Sequence, residues 1–348
     1  MTETDISSLF PEEIAALPVM EGQGAFRSKQ IFEWLHAHRV GSFDEMTNLP
    51  AALRGKLAES AYISLPGKVR VQESATDGTR KYLLKMHDGE LVESVFMKYK
   101  HGNTVCISSQ VGCRMGCKFC ASTVDGLSRS LTASEMAGQI YTILKDTGER
   151  VSGIVIMGMG EPMDNYDNLI RFIRLISDER GYGLSRRSIT VSTCGLVPEI
   201  KRFAEEGLPV TLAISLHAPN DEKRRLIMPI ANRYSIAELM DACRFYFDKT
   251  GRRVTFEYSL IAGQNDTDAD AEELSILAGA AGAHINLIPV NPVRENGMSA
   301  PDKDRVIGFQ KKLEKNRINA TIRRELGRDI DGACGQLRRR TLTGDFVC

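Results

Sequence analysis

The sequence has no long apolar run and no surplus of either charge. No stretch of the 348 residues is apolar enough to span a bilayer, and the start, MTETDISSLFPEE, is acidic, unlike a secretion signal. We therefore expect a cytoplasmic protein without a membrane-bound segment. The 45 basic and 45 acidic residues cancel, so no overall field would draw the chain to nucleic acid. Any such binding must rely on local basic patches.

Cysteine is also scarce, because eight cysteines in a chain of this length are too few for a disulfide framework. Three of them, Cys113, Cys117 and Cys120, nevertheless lie within one short loop, here called the cysteine loop (residues 113–120). Three thiolates are one ligand short of a closed zinc site, whereas an iron–sulfur cube held by three thiolates leaves one iron open. Cysteines also cluster in buried loops for packing, so the spacing alone leaves that alternative open.

Residues 1–63 have the pattern of short helices. The run FRSKQIFEWLHAHR places Ile31, Phe32 and Leu35 on one helical face, and Pro50 stands at the start of a further helix. The residues alone favour a small helical bundle packed on a larger domain over a nucleic-acid accessory domain. The basic residues that an accessory domain could use are Arg27, Lys29, Arg39, Arg54 and Lys56.

Residues 64–102 change to the two-residue period of strands. Asp77-Gly78 and Asp88-Gly89 predict two hairpin turns that join three alternating strands. The last strand carries Glu93 on a face with apolar neighbours, namely Leu91, Val95 and Met97. A carboxylate there either reaches solvent at a sheet edge or is a functional acid that faces a cavity.

From residue 103 onward, predicted strands alternate with amphipathic helices. This alternation predicts an α/β fold with a parallel sheet of about seven strands that forms a partial (βα) barrel, open or nearly closed. The run NTVCISSQ should form the strand that leads into the cysteine loop. One helix should begin at a capping box, Thr132-x-x-Glu135, and another should run from about Tyr166 to Ile176. The chain therefore divides into a helical region (1–63), a β-hairpin extension (64–102), the barrel (103–330) and a C-terminal loop (331–348).

Unusual residues follow the predicted strands, where parallel α/β folds bind their ligands. They are the cysteine loop and the segments Gly158–Pro162, Ser192–Gly195, Ser215–His217 and Asn291–Pro292. Each segment alone has a plain structural explanation, such as a turn or a helix cap. Together they predict a pocket that holds a polar small molecule against an open iron. The glycines of the GMG run lack the spacing of a dinucleotide fingerprint.

Cys334 lies between two glycines near the C-terminus, too flexible a setting for a core cysteine. A thiol on such a loop could swing into a pocket, and a surface loop with an incidental cysteine is an equal alternative. Cys106, Cys194 and Cys243 are by default small buried hydrophobic residues.

The C-x3-C-x2-C loop resembles the cluster motif of radical S-adenosylmethionine (SAM) enzymes. The stretches CISSQVGC, MGMGEP, VSTCG, ISLHAPND and DIDGACGQL are together similar to the 23S rRNA adenine-C2 methyltransferase family, which in bacteria also modifies an adenosine beside the tRNA anticodon. The similarity runs over nearly the whole chain and includes FDEMTNLPAALRGKL. It implies a barrel of the radical SAM type and an RNA-binding role for residues 1–63.

The resemblance also implies roles for the matching residues. Cys113, Cys117 and Cys120 would hold one 4Fe-4S cluster per chain. The SAM-binding residues would be Gly160, Glu161, Ser192, Ser215, Leu216, His217 and Asn291. Cys334 would accept a methyl from one SAM, and a second SAM, cleaved reductively at the cluster, would yield the 5′-deoxyadenosyl radical that takes a hydrogen from that methyl.

In the implied reaction the resulting carbon radical would add to C2 of adenine and join protein to RNA. Glu93 would remove the C2 proton, and Cys106 would attack Cys334 to release the product as a transient disulfide. A radical route suits C2, because this carbon is electron-poor and simple transfer of an electrophilic methyl would fail. The target base should be extruded from its stack to reach the barrel.

The implied partners are 23S rRNA and tRNA, together with an electron donor such as flavodoxin, and the enzyme would act as a monomer. Plausible phosphate contacts are the arginine clusters Arg224-Arg225, Arg252-Arg253, Arg323-Arg324 and Arg338–Arg340. Three alternatives stay open: a sister branch that methylates C8 of the same rRNA adenosine, a radical activase that would not need Cys334, and a zinc protein that binds RNA without catalysis. The run GEP followed by MDN looks more like the C2 branch.

Overall fold

The computed structural model describes residues 3–290, 297–324, 326–327, 329–330 and 335–344. Two predicted site residues, Asn291 and Cys334, lie outside these ranges. Within them, the chain forms a helical N-terminal region and one large mixed sheet flanked by helices. None of the helices described there is both long and apolar enough to cross a membrane.

The N-terminal region has a hydrophobic core of its own. Its elements are β1 (Thr4–Asp5), α1 (Pro11–Ala15), α2 (Phe26–Glu33), α3 (Ala51–Ser60) and β2 (Ala61–Tyr62), and β1 pairs with β2 in parallel. Ile31, Phe32 and Leu35 are buried together, as the sequence predicted. After α2 the helix continues as a π-helical turn, Trp34–His38, whose His36 Nδ1 lies 3.0 Å from the hydroxyl of Tyr141 outside this region.

Antiparallel strands form the next part of the chain. They are β3 (Gly67–Glu73), β4 (Arg80–Lys85), β5 (Leu91–Tyr99) and β6 (Gly102–Cys106), each paired with the one before it. Gly78 and Gly89 adopt left-handed φ values of 72° and 92° in the two turns, which suits glycine because it has no Cβ. The two predicted hairpins are therefore confirmed.

Parallel strands complete the sheet and confirm the predicted α/β partial barrel. Two short strands follow β6 and pair antiparallel with each other, β7 (Gln110–Gly112) and β8 (Leu127–Ser130). The later strands are β9 (Val151–Ile156), β10 (Ile189–Thr193), β11 (Thr211–Ser215), β12 (Thr255–Leu260), β13 (His284–Pro289) and β14 (Ala320–Ile322). β6 and β9 to β14 run parallel to one another, and the ten-stranded sheet has the order β14-β13-β12-β11-β10-β9-β6-β5-β4-β3.

Helices lie between and after the parallel strands. They are α4 (Ala133–Thr147), α5 (Tyr166–Ile176), α6 (Val197–Glu205), α7 (Asp221–Ile227), α8 (Ile236–Thr250), α9 (Asp268–Ala281), α10 (Lys303–Lys315) and α11 (Gln336–Thr343). The predicted capping box starts α4: the Thr132 hydroxyl accepts from the Glu135 N–H, and the Glu135 carboxylate accepts from the Thr132 N–H. The bounds of α5 are those expected from its periodicity.

The first parallel strand is shorter than the sequence predicted. The run NTVCISSQ predicted a strand as far as Gln110, whereas β6 ends at Cys106. Beyond that point the N–H of Gly158 donates to the Ile107 carbonyl at 3.0 Å, and the N–H of Ser109 donates to the Met159 carbonyl at 2.9 Å. These bonds replace the regular ladder, so the chain curls toward the cysteine loop.

The segment after β14 connects the two edge strands of the sheet. Asp329 accepts hydrogen bonds from the Ser74 hydroxyl at 2.6 Å and from the Ala75 N–H at 2.8 Å. The Gly327 N–H donates to the Asp77 carboxylate at 2.9 Å. In the described ranges β3 and β14 do not pair with each other. Hydrogen bonds to two carboxylates therefore join the ends of the sheet in place of a strand ladder.

Candidate functional site

The cysteine loop begins at a tight crossing of β7 and β8. Gly112 has a φ of 79°, and a Cβ there would lie 2.0 Å from the carbonyl oxygen of Gly126, so only glycine fits. The N–H of Cys113 donates to that same carbonyl at 2.9 Å. Further along, the N–H of Lys118 donates at 2.9 Å to the carbonyl of Ile227 at the end of α7. Backbone bonds thus hold the loop from both sides.

The three thiols of this loop are close enough to interact electrostatically in a buried setting. Burial, together with a smaller effect of the neighbouring Cys120, raises the pKa of Cys113 to about 12. Burial also raises the pKa of Cys117 and of Cys120, and both other thiols of the loop add to the effect at Cys117. Thiolates in this setting need a cationic partner to be stable. The loop therefore fits a positively charged metal centre.

A single metal ion does not fit as well as a cluster. In the part of the chain that the structure describes, no three His, Cys, Asp or Glu side chains stand close enough together to hold one ion. A mononuclear zinc site needs ligands that converge within bonding distance of one atom, whereas a 4Fe-4S cube keeps its cysteine ligands farther apart. The donor set, three thiols and thus one ligand short of a closed zinc site, is what fits the open iron of a cluster.

The glycines after β9 allow the backbone to pass close to the residues that precede the cysteine loop. A Cβ at Gly158 would lie 2.7 Å from the Ile107 carbonyl oxygen, and one at Gly160 would lie 2.5 Å from the Cβ of Gln110. Gly160 also has a φ of 98°. The Gln110 amide oxygen then accepts from the Glu161 N–H at 2.9 Å. The glycines of the GMG run thus allow the backbone after β9 to pack closely against the backbone after β6.

The side chain of Glu161 links the ends of two neighbouring strands, β9 and β10, by hydrogen bonds. Its carboxylate accepts from the Met163 N–H at 3.0 Å and from the Cys194 N–H at 2.7 Å. Burial raises the pKa of Glu161, and these backbone hydrogen bonds oppose that shift. Both oxygens hold backbone after β9 and β10, so this predicted SAM-binding residue shapes the pocket with its side chain.

Polar residues form a row across the parallel strands on one face. The hydroxyls of Ser192 and Ser215 are 3.4 Å apart, and Ser215 stands in register with Glu257. Glu257 accepts from the Asn286 amide at 3.0 Å. Burial raises the pKa of Glu257, and Arg323 lowers it. Sequence analysis had missed Glu257 and Asn286, although a charged residue inside the otherwise apolar strand TFEYSLI was a usable signal.

Leu216 and His217 turn the chain away from the end of β11. Their N–H groups both donate to the Glu257 carbonyl, at 3.1 and 3.3 Å, and His217 has a φ of 57°. The His217 Nδ1 accepts from the Ser259 N–H at 2.9 Å. Burial lowers the pKa of His217 to about 3, so the ring is neutral. It meets Phe119 of the cysteine loop edge to face, with 4.8 Å between ring centroids.

Glu93 is buried, but its surroundings differ from the apolar face that the sequence predicted. The Lys81 Nζ lies 2.9 Å from its Oε2, and Lys81 and Glu93 are 0% and 2% exposed. The Gly335 N–H donates to Oε2 at 2.6 Å, and the Arg338 N–H donates to Oε1 at 2.7 Å. Sequence analysis had missed Lys81, because the contact depends on the register of β4 against β5.

Cys106 lies beside Glu93. It is in register with Val95, so its side chain shares the face of the sheet that carries Glu93. Burial raises the pKa of the Cys106 thiol, whereas Arg323 and a hydrogen bond from the Met157 N–H lower it. Cys106 is a free thiol in this structure.

Asn291 and Cys334 lie outside the described residues, but the residue after Cys334 does not. Gly335 is buried, and a Cβ there would lie 3.0 Å from the backbone nitrogen of Ser122, two residues past the cysteine loop. The same residue donates its N–H to Glu93. The structure therefore brings the base candidate Glu93, the thiol of Cys106, the cysteine loop and the chain next to Cys334 to one place, here called the site mouth.

One predicted phosphate contact is wrong. Arg224 is 0% exposed, and its guanidinium donates to the Cys194 carbonyl at 2.6 Å and to the Leu216 carbonyl at 3.1 Å. The sequence DEKRRL has the pattern of an exposed helix, but α7 turns this arginine inward to satisfy carbonyls at the ends of β10 and β11. Arg224 thus organises the pocket wall and cannot reach RNA.

The comparisons with known proteins agree with this geometry. Residues 107–274 match the family described as the Radical SAM superfamily, and residues 4–63 match the ribosomal RNA large subunit methyltransferase N-terminal domain. A protein of Lachnospira eligens named "Probable dual-specificity RNA methyltransferase RlmN" is 59% identical over 338 residues, 97% of this chain and 96% of that protein. A Clostridium perfringens protein of the same name is 51% identical over 94% of both chains.

A solved structure is similar over nearly the whole length. The crystal structure of a radical SAM methyltransferase from Sphaerobacter thermophilus is 43% identical, with a TM-score of 0.91, and the match covers 96% of this chain and 98% of that chain. The match therefore includes the N-terminal region as well as the barrel. It confirms the radical SAM type of the partial barrel that the sequence predicted.

Proposed function

This chain belongs to the RlmN family of dual-specificity RNA methyltransferases within the radical SAM superfamily, and on that basis we propose its reaction and substrates. It methylates C2 of an adenosine in the peptidyl transferase centre of 23S rRNA and of the adenosine next to the tRNA anticodon. The observation that carries the proposal is the site mouth, where Glu93, Cys106 and the residue after Cys334 lie beside the cysteine loop.

The enzyme uses a 4Fe-4S cluster and SAM, as its superfamily does. Cys113, Cys117 and Cys120 would hold the cluster, which fits three buried thiols that do not converge on a single ion. A cluster bound there would supply one-electron chemistry: the electron for the reductive cleavage of SAM, and a place for the electron that the base adduct loses. The chain's own part is to exclude water and to keep the thiolates beside a cationic centre.

SAM would bind at the strand ends. The residues that we assign to it are Gly160, Glu161, Ser192, Ser215, Leu216, His217 and Asn291. The hydroxyls of Ser192 and Ser215 offer hydrogen bonds from the sheet, and the left-handed turn at Gly160 lets the backbone beside the pocket pack against Gln110. The side chains of Glu161 and His217 hold the surrounding backbone in place.

Three residues would carry the methyl transfer. The Cys334 sulfur displaces the methyl from one SAM, so that an S–C bond forms as the sulfonium loses its methyl. After a hydrogen is taken from that methyl and the carbon adds to C2, Glu93 accepts the C2 proton. The Cys106 thiolate then attacks the Cys334 sulfur, and the S–S bond forms as the S–C bond breaks. The electron pair of the S–C bond stays on the former methyl carbon, which takes up one proton from solvent, and the methylated base leaves.

Each segment of the chain has its own role in the proposed reaction. Residues 1–63 serve as an RNA-binding accessory domain, residues 64–102 carry the base, residues 103–330 form the barrel, and residues 331–348 carry the methyl-accepting thiol. The enzyme acts as a monomer in the cytoplasm, where its RNA substrates are found. Its electrons come from a small donor protein of the flavodoxin class.

The test is methylation of an rRNA fragment and of a tRNA anticodon stem-loop by the cluster-reconstituted protein with SAM and a reductant. Mass spectrometry of the nucleosides should find 2-methyladenosine. The appearance of 8-methyladenosine would assign the chain to the C8 branch, and the absence of any methylated nucleoside would contradict the proposal. A Cys334→Ala variant should lose RNA methylation; undiminished RNA methylation in this variant would contradict a route through a methylated Cys334.

A further inference from the structure

Helix α7 packs beside the cysteine loop and has one side toward solvent. Its buried residue Arg224 interacts electrostatically with the thiol of Cys117, and the carbonyl of Ile227 at its end accepts from the Lys118 N–H at 2.9 Å. On the other side of the helix, Leu226 is 61% exposed. An α-helix with its side chains is about 10 Å across. Little more than one helix therefore separates the outer surface from a thiol that would hold the cluster.

The cysteine loop itself reaches the surface next to α7. Gly116 and Lys118 are exposed and flank the buried Cys117. A Cβ at Gly116 would lie 3.4 Å from Cγ of Pro229, so the loop and the chain after α7 form one continuous surface. We call this surface the α7 patch, and its exposed members are Gly116, Lys118, Arg225, Leu226, Pro229 and Arg233.

The α7 patch carries positive charge that its own contacts do not balance. The Arg225 guanidinium donates to a backbone carbonyl at 3.4 Å, and the Arg233 guanidinium lies over the Tyr234 ring, 5.3 Å from its centroid. Neither contact brings an opposite charge. Lys118 adds a third exposed cation, whereas the exposed acid of α7 is Glu222. On a chain without net charge, the patch is therefore a local region of positive potential.

Apolar residues distinguish the α7 patch from a surface that only binds phosphates. Leu226 and Pro229 are exposed among the cations. Phosphates are bound by basic and polar side chains and by backbone N–H groups, and exposed apolar side chains add nothing to such contacts. Complexes between two proteins, in contrast, bury apolar side chains at the centre and keep polar groups at the rim. The patch therefore fits a protein with an acidic surface better than it fits RNA.

We propose that the α7 patch is the surface on which a small acidic electron-carrier protein docks to reduce the cluster. This inference rests on the proposed function, in which such a donor supplies the electrons. Electrons cross protein only over short distances, and the patch adjoins the loop that would hold the cluster. In the docked pair one electron leaves the donor, which is oxidised, and enters the cluster, which is reduced; no atom is transferred.

The composition of the α7 patch also suits a donor that has to leave again. Opposite charges on the two surfaces raise the rate at which the proteins meet. Electron-transfer complexes are small and weak, so a few apolar contacts at the centre are enough. A basic surface with little apolar area therefore gives fast association together with fast release.

The test of the charges is reduction of the cluster by a purified acidic flavodoxin in its reduced form, followed by flavin absorbance in a stopped-flow spectrometer. The double variant Arg225→Glu, Arg233→Glu should lower the second-order rate constant at low ionic strength by about tenfold or more, because it reverses two charges of the patch. The difference should disappear in high salt, which screens the charges. Arg186→Glu, Arg187→Glu is the matched control, because both arginines are exposed and precede β10, at the end of the strand opposite the pocket.

The apolar contact has a variant of its own. Leu226→Ser should weaken binding of oxidised flavodoxin to the oxidised holoenzyme about tenfold, because the buried leucine side chain is lost from the contact. Biolayer interferometry measures this affinity without any electron transfer, so it tests each variant whatever its cluster content. Ile276→Ser, at a residue of α9 that is 73% exposed, should leave the affinity unchanged.

The outcomes separate the docking surface from the proposed function. Dithionite, a small reductant that needs no docking surface, should reduce the cluster equally fast in every variant. Flavodoxin rates and affinities equal to those of the wild type in both patch variants would overturn the α7 patch. A charge-reversed protein that lost RNA affinity and kept its flavodoxin rate would also overturn it, because the patch would then contact phosphates. Wild-type protein that is reduced by dithionite and methylates no RNA would overturn the proposed function alone.

Discussion

At the scale of single residues, Cys106 and Glu93 occupy one face of neighbouring strands, and the proposed mechanism uses them in different steps. Cys106 is in register with Val95, two positions along β5 from Glu93. A change at Cys106 removes a sulfur without altering the contacts of Glu93 with Lys81 and α11. The release step can therefore be separated from the steps that precede it.

Cys106→Ala should trap a covalent adduct between protein and RNA under turnover conditions. The variant lacks the thiolate that attacks the Cys334 sulfur, so the S–C bond to the base persists. A denaturing gel with labelled RNA would detect the adduct as a slowly migrating band. Cys243→Ala is the control, because Cys243 is also a buried free thiol but lies on α8. No band in the Cys106 variant during active turnover would contradict the mechanism.

Some residue roles could be read from the sequence and others could not. The spacing of Cys113, Cys117 and Cys120 is local, so the sequence alone predicts that they share one centre. The pairing of Lys81 with Glu93 needs the register of two strands, which the alternating pattern does not reveal. The burial of Arg224 depends on where α7 meets the ends of β10 and β11. Local sequence contains none of that information.

At the scale of elements, the π-helical turn Trp34–His38 joins the N-terminal region to α4. Its His36 is fully buried, with Nδ1 3.0 Å from the hydroxyl of Tyr141. Burial lowers the pKa of His36 to about 3. The folded state therefore holds this ring neutral throughout the range in which a histidine in the unfolded chain becomes charged.

Acidification should therefore weaken the fold through His36. The folded pKa of about 3 lies below the ordinary histidine pKa of 6.5, so the unfolded chain binds the proton first. Stability is complete above pH 6.5 and falls by about 1.4 kcal/mol per pH unit below it, down to the folded pKa. Urea unfolding at several pH values should give a flatter dependence for His36→Gln. His101→Gln, at an exposed position, should match the wild type; parallel slopes for all three proteins would contradict the assignment.

Elements with a strong local signal were predicted well. The Asp-Gly turns set both hairpins, and the apolar period of YDNLIRFIRLI set the bounds of α5. β6 was predicted too long, because its end at Cys106 depends on contacts with Gly158 and Met159, more than fifty residues away along the chain. Periodicity in one segment does not contain such long-range contacts.

At the scale of the whole molecule, a net charge of zero leaves RNA binding to local basic groups. The structure narrows the set of basic residues in the N-terminal region that were proposed to bind RNA. Arg27 and Arg54 donate to the backbone carbonyls of Asn48 and Asp44, so their guanidinium groups are partly used within the fold. Lys29 and Lys56 are exposed and available to phosphates.

The double variant Lys29→Ala, Lys56→Ala should bind RNA more weakly and with less dependence on salt. When a phosphate contact is lost, RNA binding releases about one counterion fewer. The magnitude of the slope of log affinity against log salt should therefore fall by about 1 per lysine. Fluorescence anisotropy with a labelled rRNA fragment at several salt concentrations measures this slope. A double variant at exposed lysines of α6 and α10, Lys201→Ala, Lys311→Ala, is the control. An unchanged slope in the first variant would place the phosphate contacts elsewhere.

The hydrogen bonds that Asp329 and Gly327 make with the turn after β3 are the contacts described between the two edges of the sheet. A few hydrogen bonds to carboxylates resist separation less than a continuous ladder of paired strands does. We therefore expect local opening of the sheet to begin at this seam, while the paired strands stay together.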